Sequence, residues 1–190
     1  MKQALRLFHL SDKPDIKVFT PRRPARADLA DTPLVWAVDG DHVWNYLLPR
    51  DCPRVTFFAD KQTTPSDIAA FLGPSGASRV IAVEFEWLER ISAQHLVQYE
   101  FDPQFFVLQD ATAGHWTATE PIYPITEILI EDLLRELRQR GVELRVMTSL
   151  WELREAVIQS TMAYSIMRMQ HAGPLPAGFK SVHPLPMKRP

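Results

Sequence analysis

Apolar residues along this chain fall mostly into short runs suited to strands, and only a few segments show the 3.6-residue spacing of a helix. From Leu5 to Leu10, Leu5 and Leu7 share one face while Arg6 and Phe8 take the other, the period of a strand. Leu34–Val38 is a compact apolar run suited to a buried strand. Asp39-Gly40-Asp41 ends it, and Asp41 is placed to cap a short helix through Leu48. Pro49–Pro53 reads as a turn, and Arg54–Ala59, rich in Val, Thr and Phe, as the next strand. Arg79–Phe85, His95–Phe101 and Phe105–Gln109 follow as strands, with shorter extended pieces around Trp116 and over Ile128–Ile130. Val142–Met147 is the last strand expected.

Helix signals are fewer. Thr64-Pro65-Ser66-Asp67 offers a capping threonine, a proline suited to the first turn and an acid three residues on, and Gly73-Pro74 closes the helix after Leu72. Glu86–Ile91 is a short helix, and Glu131–Arg140 aligns Leu133, Leu134 and Leu137 before Gly141 stops it. Ser149-Leu150-Trp151-Glu152 reads as a capping box opening the longest helix, to about Gln170, with Trp151, Val157, Ile158, Met162, Ile166 and Met169 on its apolar face.

Two segments resist regular structure. Ser11–Pro33 carries Pro14, Pro21, Pro24 and Pro33 and reads as a long surface loop with an extended piece at Ile16–Phe19; loops of that length often carry function. Residues 173–190 hold Pro174, Pro176, Pro184, Pro186 and Pro190 and read as an extended arm. The regular strand–helix alternation of a parallel doubly wound sheet is missing. The expectation is an α+β fold: one domain over residues 1–172, a bent and mostly antiparallel sheet with flanking helices, a long C-terminal helix, and a Pro-rich tail over 173–190.

Composition narrows the function classes. A 190-residue chain with 46% apolar residues can bury a core, and a net charge of −2 argues against nonspecific nucleic-acid binding. The single cysteine, Cys52, allows no internal disulfide, no apolar run is long enough to span a membrane, and the start lacks a signal-peptide pattern; a cytoplasmic protein is expected. Phosphate-loop, dinucleotide-binding, paired-cysteine, zinc-protease and nucleophile-elbow signatures are all missing, and the six histidines lack ligand spacing, so no metal is expected.

Four groups of residues remain as candidates. His9 and Ser11, at the mouth of the first strand, have the donors and acceptors to hold a ribose or another polyol. Arg22, Arg50 and Arg54, with Arg23 nearby, offer planar forks of donors to a diphosphate or carboxylate. Trp44 and Tyr46, together with Trp36, can line a pocket and stack on a planar ring. In Gly114–Glu120, His115 and Glu120 are candidates for acid–base work. Each has a structural counterpart: a strand-end histidine bonded to backbone, arginines paired with Asp39, Asp41 and Asp51, aromatics in the core, an exposed strand edge. Cys52 reads as a packed, buried thiol.

The stretches Leu7-Phe8-His9-Leu10-Ser11, Val35–Asp39, Pro49–Val55 and Tyr99–Pro103, with the final Ser160-Thr161 and Met167-Arg168-Met169, resemble a small bacterial family of unknown function, over the chain up to about Ala172. More remotely the chain resembles the ADP-ribosyltransferase fold, in which a first-strand His holds the adenosine ribose of NAD. His9 stands in that place, with Leu10 where the poly-ADP-ribosyl branch has Gly. Val35–Asp39 followed by Asp41–Tyr46 resembles the second strand and its tyrosine-bearing helix, and Trp116–Pro124 the third motif. The resemblance implies binding of NAD or a related nucleotide: His9 and Ser11 on a ribose, Arg22, Arg50 and Arg54 on phosphates, Trp44 or Tyr46 on a ring, and Glu120 or His115 in the catalytic role. The alternative is a non-catalytic interaction module, with the C-terminal helix and tail docking on a partner or a second copy.

Overall fold

The computed structural model describes residues 4–23 and 32–183. Residues 24–31 of the expected loop and 184–190 of the tail lie outside it. The described residues form a mixed α+β structure. Its strands are β1 (Leu7–Ser11), β2 (Val35–Asp39), β3 (Arg54–Phe58), β4 (Arg79–Glu84), β5 (Leu96–Phe101), β6 (Val107–Asp110), β7 (His115–Ala118), β8 (Thr126–Ile130), β9 (Val142–Met147) and β10 (Ala163–Met167). Its α-helices are α1 (Pro65–Asp67), continued as a π-turn over Ile68–Leu72, α2 (Leu88–Ala93), α3 (Leu133–Gln139) and α4 (Trp151–Gln159). Among the described residues no helix is long and apolar enough to cross a membrane.

The chain divides into two compact units: Met1–Leu47 with His95–Glu131, and Leu48–Gln94 with Asp132–Pro190. In the first unit the sheet order is β6-β7-β2-β1-β5-β8, and every pairing is antiparallel. One face carries the larger core cluster, Leu7, Val35, Ala37, Val97, Tyr99, Phe101, Phe106, Ala118 and Ile122, and a smaller one of Phe8, Val38 and Val43 lies on the other. The expected extended piece crosses this core. Phe19 and Ile122 exchange backbone hydrogen bonds of 2.8 and 2.9 Å, and the Phe19 ring stands about 5 Å from those of Tyr99 and Phe101. Fully buried Tyr99 satisfies its hydroxyl on the same loop, donating to Lys13 O at 2.8 Å and accepting from Ile16 N at 3.1 Å. An unpaired phenol in an apolar core is costly, so these two bonds fix the loop's path.

In the second unit the order is β10-β3-β4-β9, with β4 and β9 parallel and the other pairs antiparallel. β4 reads Arg-Val-Ile-Ala-Val-Glu and is buried beyond its first residue, as a strand paired on both sides requires. Thr64 caps α1 as expected, and Asp132 caps α3 by accepting from Arg135 N at 2.9 Å.

The long C-terminal helix is corrected. α4 ends at Gln159, and Ala163–Met167 becomes β10, paired residue by residue with β3 from Ala163↔Phe58 to Met167↔Arg54. Hydroxyls make the break. Ser160 turns extended (ψ 176°); its Oγ donates to Val157 O and accepts from Met162 N, while Thr161 bonds the Asp67 carboxylate through N and Oγ1. Such side chains give the backbone an alternative to the helix. The described part of the tail is tied to this unit. Gly173 donates to Glu84, Trp151 Nε1 donates to Gly173 O at 2.9 Å, Phe179 lies against Trp151, and Ser181 and Val182 bond Glu155.

Candidate functional site

The register assigns faces in the first unit. His9 opposes Tyr99 and Leu7 opposes Phe101, so His9 projects to the core face. Phe8 opposes Val38, and Val38 opposes His115, so His115 projects to the other face, along with Trp36. The contacts agree: the His9 ring is 4.9 Å from Phe19, whereas Trp36 meets His115 edge-on at 5.6 Å. The two candidate imidazoles therefore stand on opposite sides of one sheet.

The sheet parts at its centre. β1 pairs with β5 along its whole length, but with β2 only through Leu7↔Asp39 and Phe8↔Val38. Just beyond, the His9 imidazole reaches Trp36 O through Nδ1 at 2.9 Å. That carbonyl is a ladder acceptor of β2, here engaged by a side chain. Trp36 thus meets His9 through its backbone and His115 through its indole.

A second group gathers where β2 turns into the 3₁₀ segment Val43–Tyr46. Asp39 Oδ1 accepts from Asp41 N (3.1 Å), His42 N (3.0 Å) and His42 Nδ1 (2.7 Å). Burial works against ionisation of Asp39, but the bonds and charge of His42 outweigh it and hold the carboxyl below its usual range. Asp39, rather than Asp41, is the residue that organises this turn. Four residues after His42, the Tyr46 hydroxyl meets His115 Nε2 at 2.5 Å. Gly114 closes the group. It has φ +65°, its carbonyl accepts from Asp39 N, and a Cβ there would stand 2.6 Å from His42 Cγ and 2.8 Å from Asp39 Oδ2. Only glycine fits both the left-handed backbone and the close approach. The arrangement is an imidazole oriented by a carboxylate beside an imidazole–phenol pair, with an indole edge next to it. Those groups can exchange protons and hold a planar, hydroxyl-bearing molecule.

Ser11 is buried, and its Oγ accepts from Lys13 N in a local turn. Trp44 is 1% exposed and donates to Asp41 O. Glu120 is exposed beyond the end of β7, and Arg22 is exposed in a bridge to Leu34. Arg50 and Arg54 belong to the second unit. Arg50 is exposed; Arg54 is 3% exposed, and its Nη1 donates to Pro49 O and Cys52 O, both at 3.2 Å. The Arg54 guanidinium ties the Pro49–Pro53 turn to β3. In that turn the Cys52 thiol is pushed up to about 12, burial being the largest cause. Among the described residues no group of three or more His, Cys, Asp or Glu is arranged to hold a metal ion.

The Asp39–His42 pair is absent from the sequence-derived candidates. Its signal was the three-residue spacing across Asp-Gly-Asp-His, the separation at which an Asx-type turn brings a carboxylate onto the chain ahead of it. No curated protein and no solved structure matches the chain. The model of a family of unknown function, DUF6886, matches residues 8–172, and the chain belongs to that family.

Proposed function

We propose that the first unit binds NAD or a related nucleotide where β1 and β2 part. The observation that carries the proposal is the parting of two central strands, bridged by the His9 imidazole on Trp36 O, beside the Trp36, His115 and Tyr46 side chains. Flat side chains beside a few polar groups suit a ribose joined to a base. Trp36 and Tyr46, both half-buried, offer ring faces in place of the sealed Trp44, and His115 and Tyr46 supply polar groups for hydroxyls, while His9, on the opposite face, holds the Trp36 carbonyl. Arg22 belongs to the same unit and meets a phosphate. Arg54, occupied by its own turn, is left out. His115 or Glu120 polarises the ribose or an acceptor if transfer follows binding.

Titration calorimetry and thermal unfolding with NAD test this. A ligand at about a hundred times its Kd adds about 2.7 kcal/mol, which corresponds to roughly 5–11 °C in Tm for a chain of this size. Trp36→Ala and His115→Ala are expected to remove the heat and the shift. Neither heat nor shift with NAD, ADP-ribose or adenine mononucleotides at millimolar concentration overturns the proposal. Release of nicotinamide, followed by chromatography, separates an enzyme from a binding module.

A second reading, an interaction module, is favoured by the outer strands of the same sheet. β6 exposes Val107 and Leu108, and β8 exposes Ile128 and Leu129, on both faces of each strand. Light scattering across a concentration series tests it; a monomer throughout removes self-association.

A further inference from the structure

Gln98, in the middle of β5, is 8% exposed, and among the described residues its Oε1 atom is buried with no hydrogen-bond partner. Its surroundings explain why. The residues opposite it are Leu10 on β1 and Ile128 on β8, neither of which carries a side-chain donor. The nearest charge on the same face of β5 is Glu100, whose two oxygens are both taken by Arg6 at 2.7 Å. A buried amide oxygen with no donor on either opposed residue is an expensive thing to keep, and a leucine or methionine would pack there without the cost.

The register shows which way this amide faces. Gln98 opposes Leu10, which shares a face with Phe8; Phe8 opposes Val38, which shares a face with Trp36 and opposes His115. Gln98 therefore lies on the Trp36–His115 face. It is two strands from Trp36, about 10 Å at ordinary strand spacing, within the span of a nucleotide.

We propose that Gln98 Oε1 is the specificity-determining acceptor of this site and takes an N–H from the ligand's planar base. The chemistry it selects is an exocyclic amine or a carboxamide, as on adenine or nicotinamide, over the same ring bearing a carbonyl or carboxylate. This rests on the nucleotide reading above and deepens it.

The experiment is titration calorimetry of the full chain with NAD, with its hypoxanthine analogue, in which the purine amine is a carbonyl, and with its nicotinic-acid analogue, in which the carboxamide is a carboxylate. The wild type is expected to bind one of the two analogues about tenfold or more weakly than NAD; which one identifies the base that Gln98 reads. Gln98→Met is expected to bring that analogue to within about twofold of NAD, with Gln98→Leu as a second variant. Both variants are expected to keep or raise Tm by a few degrees without ligand, because an unsatisfied buried oxygen is removed. Equal binding of all three ligands by the wild type, discrimination that survives in Gln98→Met, or a lower ligand-free Tm in both variants overturns the assignment. A wild type that binds none of the three overturns the nucleotide reading itself, and this inference with it.

Discussion

Gly114→Ala isolates the physics of the candidate site. Two costs combine. An alanine in the left-handed region costs about 1–2 kcal/mol, and forcing a methyl group into an occupied space costs about 1–3 kcal/mol more. The occupied space here is the His42 ring and the Asp39 carboxylate, the latter 2.8 Å from the added carbon. The chain contains its own control: Gly141 has φ +67° and nothing within 4 Å of an added Cβ, so Gly141→Ala carries the backbone cost alone. Urea unfolding followed by circular dichroism should place Gly114→Ala about 2–5 kcal/mol below wild type and Gly141→Ala about 1–2 kcal/mol below. The difference belongs to the imidazole and its carboxylate partner. In a His42→Ala background the ring is gone but Asp39 stays held by the backbone N of Asp41 and of residue 42, so adding Gly114→Ala should cost less than it does with the ring present, yet no less than Gly141→Ala does. Equal losses for the two glycines in the wild-type background, or the same Gly114→Ala penalty with and without His42, would refute the packing of Asp39, His42 and Gly114 described above.

Three further outcomes follow. Asp39 has a depressed folded-state pKa, so its stabilisation is present above the ordinary carboxylate value of 3.8 and is lost only as pH falls below it through the folded value; Asp39→Asn should flatten that part of an acid-unfolding curve, and an unchanged curve counts against the pair. Cys52, fully buried with its thiol pushed up to about 12, should resist a thiol reagent at pH 8 in the native protein and react at once in urea; rapid native labelling contradicts that burial. Glu84, 3% exposed, accepts from Leu150 N at 3.3 Å and Gly173 N at 2.8 Å, so Glu84→Leu should strand two backbone donors and cost about 2–4 kcal/mol by urea unfolding; a cost under about 0.5 kcal/mol shows that the tail is not held there.

The elements that were legible are those whose local chemistry and tertiary setting agree. Thr64-Pro65 starts a helix, Gly141 ends one, and Val80–Val83 of β4 is an unbroken apolar run in a strand paired on both edges and buried on both faces. Met162, Ile166 and Met169 fit a helical stripe, but Ala163–Met167 also fits a strand, and a short apolar run carries too little periodicity to decide. The unpaired edge of β3 decided it, with Ser160 and Thr161 breaking the helix. At the site, the side chain's place along each strand was readable, but the register between strands was not. A shift of one residue reverses a face, so nothing local to His9 or His115 shows that they stand on opposite sides of β1, β2 and β7. Arg54 misled because a guanidinium beside prolines looks like an anion site whether its donors face outward or, as here, satisfy the carbonyls of its own turn.

Each unit is assembled from two stretches of chain separated in sequence, since the first is interrupted after Leu47 and resumes at His95. During synthesis β1 must wait for β5, whose partner residues lie about ninety positions later, and at about 5–20 residues per second that is a delay of several seconds. Through that interval Leu7, Val35 and Ala37 lack Val97, Tyr99 and Phe101 and have only Ile16 and Phe19 to pack against from the earlier chain. Folding of this chain is therefore expected to be slow, and a fragment that stops short of β5 should aggregate rather than rest as a partial sheet.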